Sequence, residues 1–219
     1  MLLKPDNPIP MDMQLTTVEV RVLGSMMEKE AATPEYYPLT LNALRAACNQ
    51  KSNRDPVMSL DEDEVTAALE SLRAKGLTTE LSGAGHRVCK YGHRTGVVFN
   101  FDRREQAVIA VLMLRGPQTV GELRGRTARL HSFDDLAGVE STLHRLMKRE
   151  PPLVARLPRR PGEKEPRWAH LLSGEVDATS VAAEPRPRRS PLEERVEQLE
   201  AELAALRREF EAFRAQFSG

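Results

Sequence analysis

Cysteine is almost missing from this chain: Cys48 and Cys89 are the only two in 219 residues. Two thiols cannot build a disulfide scaffold, and their scarcity fits a reducing compartment. Aromatic side chains make up only 5%, so any core must be filled mainly by Leu, Val, Ala and Met. Neither sign of charge is in excess, with 32 Lys+Arg against 32 Asp+Glu. That excludes the strongly basic balance of an obvious nucleic-acid binder. No apolar run approaches the roughly 20 residues of a membrane span. Pro5, Asp6 and Pro8 interrupt the N-terminus before a signal-peptide core forms. A cytoplasmic chain with no membrane partner is expected. Glycine-rich phosphate loops, nucleophile elbows and paired-carboxylate frames are also missing, so the expectation is a non-enzyme with no cofactor.

What is present is organised in blocks. Residues 1–100 carry a net charge of −2, residues 101–175 of +4 and residues 176–219 of −2. After an extended arm over 1–15, Thr16-x-x-Glu19 has the capping-box spacing that satisfies orphan amides reciprocally. It predicts a helix to about Ala32, with Val18, Val22 or Leu23, Met26 and Met27 facing the core. Thr40 is a good N-cap for a short helix carrying Leu41, Leu44 and Cys48. A polar turn follows, Asn49 to Pro56. A third helix begins near Asp61, with Val65, Leu69 and Leu72 on one face and Lys75-Gly76 closing it. Leu77–Leu81 and His86–Tyr91 then read as a hairpin.

The same order recurs. Asp102 caps a helix with Ala107, Val108, Val111, Leu112 and Leu114. Thr119 caps a short one with Val120 and Leu123. Asp134 or Asp135 opens a third with Val139, Leu143 and Leu146. Leu153–Leu157 and Arg167–Leu172 form a second hairpin. Val65, Leu69 and Leu72 match Val139, Leu143 and Leu146 at a constant offset of 74. Three helices followed by a hairpin is the order of a winged helix. The predicted fold class is therefore mainly α with small β-hairpins (α+β): winged-helix domains at 16–100 and 101–174, a Pro/Arg-rich linker at 175–190 and a coiled coil at 191–219.

The coiled coil is the clearest periodic signal. Leu192, Val196, Leu199, Leu203, Leu206, Phe210, Phe213 and Phe217 alternate spacings of 4 and 3, an unbroken heptad seam. In a parallel dimer, Arg195 meets Glu200, Glu202 meets Arg207 and Glu209 meets Arg214 across the two strands, and all three pairs attract. A parallel homodimer is expected; folding back onto the chain's own domains is the other use of such a stripe.

Arg21-Val-Leu-Gly24, Thr33-Pro34, Tyr37-Pro38-Leu39, Leu41-Asn42-Ala43-Leu44 and the run Cys48 to Met58 resemble the YceH family of bacterial proteins over roughly residues 15–172. The resemblance implies two winged helices in tandem and implies no activity.

The candidate nucleic-acid contacts are Lys51 and Arg54 in the polar turn, Arg87, Lys90 and Arg94 in the first hairpin, Arg159 and Arg160 in the second, and Arg188 and Arg189 in the linker. Arg156, Lys164, Arg167, Arg124, Arg126 and Arg129 add to the basic second domain, although solvated hairpins commonly carry charge and Glu163 and Glu165 dilute the second cluster. Against a base-reading role, the third helices open on Asp61-Glu62-Asp63-Glu64 and on Asp134-Asp135, carboxylates that repel a polyanion. The alternative is a scaffold that grips a partner protein. His86-x-x-Cys89-x-x-x-His93 falls short of the four ligands of a structural zinc site; no metal is expected. Cys48, on an apolar stripe, reads as a small hydrophobe, and Trp168 as a core residue.

Overall fold

Six helices start on a side chain that satisfies their first free amides. Thr16, Asp61, Asp102 and Thr119 each complete a reciprocal box with a glutamate three residues on, and Thr40 and Asp135 cap singly. Such caps stabilise a helix by about 0.5–2 kcal/mol each. In the computed structural model the described residues are 13–83, 86–159 and 162–174, with backbone only at 83, 86 and 87. The N-terminal part of the arm, the linker and the heptad seam lie outside them.

The architecture is α+β. The first repeat runs α1 (Thr17–Ala32), β1 (Leu39–Thr40), α2 (Leu41–Cys48), α3 (Glu62–Ala74), β2 (Thr78–Gly83) and β3 (His86–His93). β3 lies between β1 and β2 in an antiparallel three-stranded sheet, with Leu39 opposite Tyr91 and Thr78 opposite His93. A short α4 (Thr95–Val98) leads to the second repeat: α5 (Arg103–Arg115), α6 (Val120–Thr127), α7 (Leu136–Met147), β4 (Val154–Arg156) and β5 (Trp168–His170). Here β4 and β5 pair antiparallel, and a single bridge from Gln118 to Trp168 takes the place that β1 holds in the first repeat. The strand Leu39–Thr40, a 3-10 turn at Pro34–Tyr36 and α4 are too short to leave a periodic signal in the sequence.

The matched triads behave alike. Val65, Leu69 and Leu72 are buried, and so are Val139, Leu143 and Leu146. The first helices of the two repeats pack against each other. Gly24 approaches Met113 and Leu114, and Glu30 accepts a hydrogen bond from Gln106 at 2.8 Å, so α1 and α5 run antiparallel. Each is buried well beyond one stripe: Val20–Met27 and Ala107–Leu114 are covered along their whole length. Two backbone bonds add to this junction, Asp55 N–H to Leu114 O at 2.9 Å and Leu15 N–H to Leu172 O at 2.8 Å. The described residues belong to one compact unit. Among them no helix is long and apolar enough to cross a membrane.

Candidate nucleic-acid interface

The polar turn after α2 is an internal clasp. Asn49 holds Leu60 in a reciprocal pair, Nδ2–H to O and N–H to Oδ1, both 2.8 Å. Arg54, expected as a phosphate contact, is buried. Its guanidinium donates to Glu28, Ala47 O, Gln50 Oε1 and Asn53 O. Its reach to phosphate is thereby removed, because a planar fork with its donors already spent offers none to solvent. Arg21, buried at 2% exposure between Val20 and Val22, donates to Cys48 O and Pro56 O and ties the same loop to α1. That role went unread in the sequence, although an arginine inside an apolar run is its signal. Of the turn's candidates only Lys51 is exposed.

The third helices present acid to solvent. Asp61, Glu62, Asp63 and Glu64 are exposed at the start of α3, and Asp134 and Asp135 at the start of α7. Asp61 and Glu64 are each other's caps. Further along α7, Arg145 pairs with Asp102 at 2.6 Å, and Arg149, just past its end, pairs with Glu105 at 2.7 Å. These cations fasten α7 to the start of α5. Arg124 likewise donates to Phe133 O and Asp134 O.

In the first hairpin Lys90 is half-buried and Arg94 exposed, while the side chain of Arg87 lies outside the described residues. His93 turns inward, 2.9 Å from Glu30, with its Nδ1 2.9 Å from the Thr95 hydroxyl. The Cys89 thiol donates to Glu80 Oε1, and that hydrogen bond, ahead of desolvation, holds it above its ordinary pKa. Burial raises the Cys48 thiol as well. Neither is poised as a thiolate.

The second hairpin gathers the cations differently. Arg156, Arg159 and Lys164 line a recess of about 600 Å³ together with Leu157, Pro158 and Pro166, and no carboxylate is among these lining residues. Arg167 is not part of it. It donates to Glu122, Glu163 and Pro117 O, anchoring the hairpin base to α6. By holding Glu163, it also takes one of the wing's own carboxylates out of competition. Arg160, Arg188 and Arg189 lie outside the described residues, as do the seam residues Leu192 to Phe213.

The family described as "Protein of unknown function, DUF480" matches residues 15–163. A "UPF0502 protein" of Solibacter usitatus is 56% identical over 208 residues, covering 94% of this chain and all of the relative. One of Citrifermentans bemidjiense is 54% identical over 195 residues, covering 89% and 90%. One of Opitutus terrae is 52% identical over 203 residues, covering 92% and 86%.

Proposed function

The chain belongs to the DUF480 family, and from that premise we propose that it is a DNA-associated regulatory protein that contacts phosphate backbones without reading bases. In this reading the two repeats are tandem winged helices of the YceH-like kind. The wing of the second repeat and the Arg-rich linker touch DNA, and the C-terminal heptads bring two chains together. The observation that carries the reading is the shallow recess of the second wing, which Arg156, Arg159 and Lys164 line and no carboxylate does. Phosphate contact supplies affinity but little sequence information. The acidic starts of α3 and α7 argue for the same limit, since a recognition helix opening on exposed carboxylates is repelled from the major groove.

Those acidic starts also favour a second reading, a scaffold whose third helices hold a basic segment of a partner protein. One titration separates the two. Fluorescence anisotropy of a mixed-sequence duplex, titrated with the full-length chain at several salt concentrations, is expected to show affinity that falls steeply with salt. Replacing Arg156, Arg159 and Lys164 by Gln should weaken binding to every sequence alike and flatten the salt slope by about 0.9 per lost contact. No binding at low salt would overturn the DNA reading in favour of the scaffold.

A further inference from the structure

A second concave basic surface lies where the two repeats meet. The end of α1, the turn after α2, the end of α5 and the end of α6 enclose a cleft of about 460 Å³. Its cations are Lys29, Arg115, Arg126 and Arg129, and its one carboxylate is Glu28, already held by Arg54 at 2.6 Å. Arg126 shares Glu122 with Arg167 at 3.5 Å, and Arg115 donates to Asn53 Oδ1 at 2.8 Å. Among the described residues no carboxylate lies within ion-pair distance of Lys29 or Arg129. Burial pushes the Arg115 guanidinium below its ordinary value and the nearby Arg126 adds like-charge repulsion, while Asp55 and Glu122 oppose the shift without cancelling it.

Helix ends tolerate cations, which accounts for Lys29, Arg115 and Arg126 singly. It does not account for four of them lining one half-open cleft, Arg129 exposed at its rim and Lys29, Arg115 and Arg126 half-buried, where like charges repel. An anion in the cleft relieves that cost. We propose that the cleft binds a small ligand carrying two linked phosphate groups. One phosphate monoester brings about −1.5 to −2 charges near neutral pH, roughly half of what Lys29, Arg115 and Arg129, the lining cations without an ion pair among the described residues, can balance. Guanidinium forks suit phosphate oxygens. The amide and hydroxyl groups of Gln50 and Ser52 supply further donors, and Val111, Leu114 and Leu130 form an apolar floor for the rest of the molecule. The volume falls in the usual range of small-molecule sites. Because the cleft takes walls from both repeats, its ligand would clamp them together. The site is separate from the wing on which the DNA reading rests.

Isothermal titration calorimetry of the full-length chain with ADP, pyrophosphate and adenosine tests this. ADP and pyrophosphate bind and adenosine does not; ADP binding without pyrophosphate binding, or the reverse, identifies which source of the diphosphate group the cleft accepts. The double variant Lys29→Gln, Arg129→Gln weakens binding by about tenfold or more with an unchanged thermal melt, since neither side chain makes an ion pair among the described residues. The wing variant of Arg156, Arg159 and Lys164 binds the diphosphates as the parent chain does, whether or not it still binds DNA. Three results would overturn the proposal: no binding of either diphosphate at about 1 mM, equal binding by the double variant, or equally tight binding of adenosine.

Discussion

Arg54 Nη2 lies 2.6 Å from Glu28 Oε2, with the arginine side chain fully buried and the glutamate side chain 16% exposed. This pair fastens the loop after α2 to the last turns of α1. Removing one partner of a buried pair leaves the other charge uncompensated, which costs about 3–5 kcal/mol. Arg54→Ala is expected to lose that much stability in urea denaturation. Arg54→Lys should recover little, because one ammonium cannot replace a fork that reaches Glu28, Ala47 O and Gln50 together. An Arg54→Ala chain within about 1 kcal/mol of the parent would show the pair to be incidental.

At Gly24 α1 packs closely against α5. A Cβ there would stand 3.1 Å from both Leu114 Cγ and Met113 Cβ. The leucine end can turn aside, but Met113 Cβ moves only with the helix. Alanine gains about 1 kcal/mol in helix propensity over glycine, while overpacking costs about 1–3 kcal/mol. Gly24→Ala is expected to lower the melting temperature and Gly24→Val to lower it further. A rise in melting temperature for Gly24→Ala would mean that the interface gives way freely.

His170 closes β5 with its Nδ1 buried and without a hydrogen-bond partner among the described residues. Desolvation by burial lowers its pKa from 6.5 to about 4. As pH falls through 6.5 the unfolded chain takes up a proton that the folded chain refuses, so stability is full above that pH and declines toward pH 4. Glu19, Glu30 and Asp102 also have lowered pKa values. Their stabilisation is present above the ordinary carboxylate range and is lost only as pH falls through it, so between pH 7 and 5 the difference in slope between the parent chain and a His170 variant reads the histidine. The residue is partly exposed, and a loss of about 1–2 kcal/mol over that window is expected at 1.36 kcal/mol per unit. Denaturation of His170→Gln should show a shallower slope with pH; an unchanged slope would assign the dependence to another group.

For the dimer proposed through the heptads, Leu199→Glu with Leu203→Glu should turn the full-length chain from dimer to monomer in light scattering, because charges at two neighbouring seam positions cannot be buried. A parent chain that is monomeric at micromolar concentration contradicts the seam.

Much of the fold was legible because its signals are local. Thr16, Thr40, Asp102 and Thr119 cap helices as expected, the third helix begins next to Asp61, and the triads at Val65 and Val139 face inward, since a capping bond or a helical stripe spans only a few residues. Helices, hairpins and the duplicated order follow from that short-range physics. What the cations do does not. Lys51, Arg54, Arg145, Arg156, Arg159 and Arg167 are alike on paper. Only tertiary packing decides that Arg54 is spent inside a loop, that Arg145 and Arg167 lock elements together and that Arg156 and Arg159 share a recess. Lys29 and Arg129 stand 100 positions apart and share a cleft because α1 and α5 pack antiparallel. An arginine's partner is set by which carboxylate or carbonyl the fold brings within about 3 Å, and no periodicity in the chain carries that information.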